Sequence, residues 1–211
     1  SEVHRMDEQK YNLDQSLAEL DKLLDLSAEE TDKTACEALA EKARIIYEQY
    51  PESEDIALRY AMTVVYLSGK QKSVEERINT ANSVKEIFER FKQSEEIALR
   101  YAFALGYLSD EQQNVEELLN TINSVKEIFE RFKQSEDIAS LYSMVLVNLS
   151  ARQVNVEERI NTVNSVKEIF ELFRHSEDIA LQYAKALVYL SGKQKSVEER
   201  INTANSVKEI F

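Results

Sequence analysis

Residues 53–93 return as residues 94–134, again as 135–175, and a last time, shortened, as 176–211, with a constant step of 41 residues. In this register Ser53, Ser94, Ser135 and Ser176 align, as do Phe88, Phe129, Phe170 and Phe211. A fixed period in the range of roughly 20–50 residues marks an array of stacked supersecondary units rather than one globular core. Residues 12–52 fit the same register in diverged form. Leu26-Ser27 lies 41 residues before Leu67-Ser68, and Ala40, Ala43, Ile46, Tyr47 and Tyr50 stand where the next copy has Ala81, Val84, Ile87, Phe88 and Phe91. The expectation is a single repeat domain over residues 11–211, behind a polar lead-in over residues 1–10. Its five units are 12–52, 53–93, 94–134, 135–175 and an incomplete 176–211.

Each unit reads as a pair of helices, A then B, of about 15 and 18 residues judged from their apolar periodicity. Helix A opens at a serine able to accept from the free N–H groups of the first turn. After Ser53, Glu54 and Asp55 add negative charge beside those groups. Its packed side is Ile56, Ala57, Tyr60, Ala61, Val64 and Leu67. Residues 68–72 make the turn, and Ser73-Val74-Glu75-Glu76 has the form of a capping box. Helix B then carries the stripe Val74, Ile78, Ala81, Val84, Ile87, Phe88 and Phe91. In the first unit the helices fall at 11–26 and about 32–50, with Pro51 helping to end the second. With only three Gly and one Pro in 211 residues, there is little material for long loops. The fold class expected is all-α, an α-solenoid of stacked antiparallel helix pairs.

This pattern resembles the tetratricopeptide repeat. Tyr60-Ala61 in helix A, Ala81 early in helix B, and Phe88 followed by Phe91 resemble that family's alternation of small residues and large aromatics. The step here is longer than the family's usual 34, Trp is absent, and Pro occurs only at Pro51. A HEAT-like array or a separate helical repeat has a similar length. The resemblance implies a TPR-like right-handed superhelix whose concave wall, built from the A helices, holds a segment of another protein.

Comparison among the copies points to the same wall. Residues 53–88 and 176–211 differ at four of 36 positions: Arg59/Gln182, Met62/Lys185, Thr63/Ala186 and Val64/Leu187. The first three lie at i, i+3 and i+4, on one helix face. In the middle copies that face reads Arg100, Phe103, Ala104 and Leu141, Met144, Val145. One turn on, it continues as Tyr66, Tyr107, Asn148 and Tyr189. Lys85, Glu86 and Glu89, by contrast, recur unchanged in the next two copies. The candidate ligand groove is therefore Arg59, Met62, Thr63, Tyr66, Arg100, Phe103, Ala104, Tyr107, Leu141, Met144, Asn148, Gln182, Lys185 and Tyr189. The plainer alternatives are clustering by chance and repacking between neighbouring units.

No catalytic constellation stands out, and no metal or cofactor is implied. His4 and His175, the only histidines, have no second His or Cys at ligand spacing. Cys36, the only cysteine, falls near a helix start, where a thiolate is favoured, yet reads better as a small packed residue than as a nucleophile. Carboxylate pairs such as Glu75-Glu76 fit capping better than acid–base chemistry. Gly69, Gly106 and Gly192 form no phosphate-cradling loop. The polar run Asn79-Thr80-Ala81-Asn82-Ser83, recurring in every later copy, reads as a polar ladder between stacked helices ahead of a ligand site.

Net charge is −13, with 14 acids and 6 bases in residues 1–52. Such a surface disfavours nucleic acid and anionic membranes, which reward Lys and Arg. No run long enough to span a bilayer is present, and one cysteine fits a reducing compartment, so the expectation is cytoplasmic; a secreted chain whose signal has been removed reads the same. The function expected is a non-enzymatic protein- or peptide-binding scaffold, its ligand acidic or carboxylate-bearing because of Arg59 and Arg100. The alternatives are a self-associating array stacking through its C-terminal end, and a regulatory or targeting module of a larger protein.

Overall fold

The computed structural model describes residues 1–194 and 196–211. Among the described residues there are ten α-helices and no strand: α1 (Glu2–Glu29), α2 (Lys33–Gln49), α3 (Glu54–Lys70), α4 (Val74–Arg90), α5 (Glu95–Glu111), α6 (Val115–Arg131), α7 (Glu136–Arg152), α8 (Val156–Leu172), α9 (Glu177–Lys193) and α10 (Val197–Ile210). Odd numbers are A helices and even numbers B helices. The fold is an all-α helical-repeat solenoid.

Capping places the boundaries. Each A helix after the first starts at the expected serine: Ile56 N–H donates to Ser53 Oγ at 3.3 Å, and Ile97, Ile138 and Ile179 donate to Ser94, Ser135 and Ser176, each at 3.2 Å. B helices after the first start at Ser73, Asn114, Asn155 and Ser196, which accept from the N–H of the glutamate three residues on. These side chains satisfy donors that have no partner within the helix. The two helices of copies two to four come out equal in length, at 17 residues each, because helix A runs on to Lys70, into the expected turn. The lead-in is also helical: α1 begins at Glu2, with Ser1 Oγ accepting from His4 N–H at 3.3 Å, so residues 1–10 extend the first helix.

Two compact units divide the chain, Ser1–Tyr107 and Leu108–Phe211, the boundary falling inside α5. In the first, α3 packs on α1, α2 and α4, and α1 packs on α2. In the second, α7 packs on α6, α8 and α9, and α9 packs on α8 and α10. An A helix thus lies against the preceding A helix, with the intervening B helix packed on both. Ile56, Ala57, Tyr60, Ala61, Val64 and Leu67 are all buried, as the periodicity requires.

One aromatic pair recurs where a B helix meets the next A helix. Tyr47 stacks on Tyr60 with ring centroids 5.0 Å apart, and Phe88 meets Tyr101 at 5.5 Å. In the second unit Phe129–Tyr142 and Phe170–Tyr183 sit at 5.3 and 5.4 Å. These are separations at which offset and tilted rings attract beyond the area they bury.

One position of the B stripe differs from expectation in every copy after the first. Ile78 is exposed, as are its counterparts Leu119, Ile160 and Ile201. Arg77 and Thr80 are buried instead, because the helix turns a polar edge toward its hairpin partner. The Asn-Thr-x-Asn-Ser run is correspondingly not a ladder between stacked helices. Its asparagines are exposed, and its serines bond back to their own helix, Ser83 Oγ donating to Asn79 O at 3.1 Å. Its threonine closes each hairpin: Thr80, Thr121, Thr162 and Thr203 hydroxyls meet the side-chain carbonyls of Gln71, Gln112, Gln153 and Gln194 at 3.1, 2.8, 2.8 and 2.7 Å.

Candidate functional site

The A helices set the candidate residues at two depths. Thr63, Ala104 and Leu141 are buried and offer no side chain to a ligand; Thr63 Oγ1 spends its proton on Arg59 O at 2.9 Å. These three belong to the packing between neighbouring helices, so the face is narrower than the pattern of differences suggests. The remaining eleven candidates are partly or well exposed.

In the first unit Arg59 is already engaged. Its Nε donates to Asp21 Oδ1 at 2.7 Å, and its Nη1 to Asp55 O at 2.9 Å. Asp21 stands 41 residues before Met62, so the Arg of α3 finds an acid at the position where α3 itself carries methionine. Arg100, one copy later, therefore has Met62 in the place of Asp21. Its guanidinium lies 5.9 Å over the Phe103 ring, and its Nε is buried with no hydrogen-bond partner among the described residues. Met62 and Phe103 are partly open, and Tyr66 is exposed. Tyr107 is more committed: its ring lies 5.6 Å from the Arg77 guanidinium, its carbonyl accepts from Arg77 Nη1, and a Cβ placed on Gly69 would come within 3.3 Å of it.

In the second unit α7 and α9 border an open cleft of about 460 Å³. Met144, Asn148, Gln182, Lys185 and Tyr189, all candidates from the comparison of copies, line it together with Val147, Leu181, Ala184 and Val188. Asn148 is fixed in place, its Nδ2 donating to Ser109 Oγ at 3.0 Å and Asp110 Oδ1 at 2.8 Å. Leu181 and Val188 are exposed apolar residues that the comparison missed, because copies two and five, whose differences marked the face, are identical there, with Leu58 and Val65 in copy two.

Comparison with known proteins finds no match. Neither a family model, nor a curated protein, nor a solved structure resembles the chain closely enough to be recognised. What the arrangement can do must be argued from its own chemistry.

Among the described residues no group of three or more His, Cys, Asp or Glu side chains is placed to hold a metal ion, and no helix is long and apolar enough to cross a membrane. Cys36 is buried, its Sγ 3.9 Å from Glu30 O, and burial pushes its thiol up and away from the reactive thiolate. A second cleft of about 320 Å³ lies among Arg44, Tyr47, Tyr60 and Arg90, and both of its arginines are engaged within the chain. Arg44 is paired with Glu41 and Glu48, and Arg90 Nη1 donates to Tyr47 Oη at 3.2 Å.

Proposed function

We propose that the chain is a protein-binding scaffold without catalytic activity, resembling tetratricopeptide repeats, whose A-helix face takes a peptide segment carrying a carboxylate. One observation carries the reading: two arginines at equivalent positions, one of them holding Asp21 and the other, Arg100, with a buried Nε that has no hydrogen-bond partner among the described residues. A buried, unpartnered guanidinium N–H is costly, and a carboxylate from outside is its strongest complement. Met62, Tyr66 and Phe103 supply the adaptable apolar and aromatic contact that anchors a short segment. An acidic overall surface, with a net charge of −13, keeps non-specific anions away and leaves recognition to this local exception.

The test is a displayed library of peptides with free C-termini and internal acids, selected on the full chain. Selected peptides are then measured by fluorescence anisotropy against the unchanged protein and its Arg100→Ala form. The expected result is a loss of at least about tenfold in affinity, or ~1.4 kcal/mol, for Arg100→Ala. A similar loss is expected when the peptide's acid is amidated. Peptides that bind both proteins equally, or a library that yields none, would overturn the reading.

A further inference from the structure

Glutamates that recur at exposed positions of the B helices gather around buried tyrosines of the A helices. In the second unit α7 packs on both α6 and α8, and among the described residues α6 and α8 make no packing contact with each other, so α7 floors a groove between them. Tyr142 stands on that floor. It is 8% exposed, its ring lies 5.3 Å from Phe129, and its hydroxyl has no hydrogen-bond partner among the described residues. Burial first, then Glu130 of α6 and Glu168 of α8, hold its proton above the ordinary phenol range, which sets the hydroxyl between the two walls. Tyr183 repeats the arrangement one copy on, with burial, Glu171 and Glu209 acting in the same way.

The first unit shows the same group with its complement in place. Tyr60, also 8% exposed, lies in the cleft of about 320 Å³ with Glu48 and Glu86, the counterparts of Glu130 and Glu168. A guanidinium is present there. Arg44 lines the same cleft, pairs with Glu48 and with Glu41 at 2.6 Å, and opposes their charge at the Tyr60 hydroxyl. In α6, Lys126 stands in the place of Arg44 and Asn123 in the place of Glu41. Lys126 is exposed and makes no ion pair among the described residues, and no cation among them acts on Tyr142. Glu130 and Glu168 are exposed and equally unpaired among the described residues. The α6–α8 groove thus holds two carboxylates over a phenol oxygen able to accept, without the cation that the first unit supplies from its own chain.

We propose that the α6–α8 groove binds an arginine side chain of a partner protein, its guanidinium lying over Tyr142 between Glu130 and Glu168. A planar fork of five donors can serve two carboxylates and a phenol oxygen at once, and a guanidinium is more weakly hydrated than an ammonium, so it leaves water at lower cost. Two carboxylates and a phenol make a poor cage for a bare metal ion, since the hard cations take six or more oxygens. The net charge of −13 draws a basic partner toward the chain before the groove selects the side chain. The ligand here carries the opposite charge to the one that Arg100 takes.

The probe is N-acetyl-arginine amide, blocked at both ends as a residue is within a chain. It is titrated into the full protein carrying isotope-labelled tyrosine rings, and the Tyr142 resonance in the NMR spectrum is assigned by its loss in Tyr142→Phe. A saturable shift of that resonance is expected. The citrulline analogue, which keeps the shape and lacks the charge, should bind at least about tenfold more weakly. So should the arginine probe to the Glu130→Gln/Glu168→Gln form, whose two changed side chains are exposed. Absence of a saturable shift at Tyr142 overturns the proposal, and so does equal binding by citrulline or by the double variant. The Arg100→Ala protein should bind the probe normally, so this site and the carboxylate site stand or fall separately.

Discussion

Thr162 and Gln153 show how a single polar contact serves a repeat. Both are buried, and the 2.8 Å contact between the Thr hydroxyl and the Gln carbonyl ties α8 to the end of α7. Thr162→Val keeps the shape and strands the Gln oxygen, so unfolding in urea should show a loss of about 1–3 kcal/mol, largely restored by Thr162→Ser. Phe129, packed against Tyr142, is a volume rather than a bond; Phe129→Ala should cost roughly 3–5 kcal/mol by the same measurement. The tyrosines also give a pH signature. Burial first, then Glu130 and Glu168, pushes Tyr142 up to about 12, and burial, with Glu41 adding and Arg44 opposing, does the same for Tyr60. A folded-state value above the unfolded one, near 10, means the folded chain holds these protons more tightly. Their contribution is complete below about pH 10 and is lost as pH rises toward 12. Thermal melts over that range should fall in step with phenolate absorbance, and a flat profile would show the rings to be solvated. The serine caps and the aromatic pairs were legible in the sequence as residues at fixed spacing. The threonine's partner was not, because a contact nine residues apart across a turn follows neither helical nor strand periodicity.

At the scale of the element, the A helix carries two registers on one cylinder. Positions such as Ile56, Tyr60 and Thr63 face neighbouring helices, while Met62 and Tyr66 face out, and a step of one residue turns the direction by about 100°. Comparing copies found this outer face, but it could not tell depth, so the buried Thr63, Ala104 and Leu141 entered the same set as their exposed neighbours. Nor did it find Asp21, which lies in the most diverged copy and becomes relevant only once α1 is seen packed on α3. The contrast between Arg59 and Arg100 yields a converse test. Met62→Asp would give Arg100 the acid that Asp21 gives Arg59. It should abolish binding of the selected carboxylate peptides while leaving the melting temperature within a few degrees, since Met62 is only partly buried. If Met62→Asp bound as well as the unchanged chain, Arg100 would not be the residue that meets the ligand. Phe103→Ala should also weaken binding with little effect on melting. Tyr107→Ala, by contrast, removes a ring packed beside Gly69 and Arg77 and should lower stability as well.

For the whole molecule, the 41-residue step implied an architecture in which each unit is stabilised by its neighbours, and the helix count and packing order agree with it. The step says nothing about how unequal those neighbours leave the copies. Residues 156–170 and 197–211 differ only at Val163 against Ala204, so their intrinsic exchange chemistry is nearly the same. Their surroundings differ: Val163, Val166, Ile169 and Phe170 are buried, while Ala204 and Phe211 are open and Val207 and Ile210 only half covered. In a repeat array, local stability is the unit's own plus that of its interfaces, so the copy lacking one interface opens first. Amides of α10 should therefore exchange with solvent at least about tenfold faster than those of α8, a difference to follow by amide-resolved NMR, since residues 197–211 repeat residues 74–88 without a difference in sequence and their peptides have one mass. Equal protection would mean that α10 gains its stability from within its own hairpin, through Thr203–Gln194 and the cap at Ser196 alone.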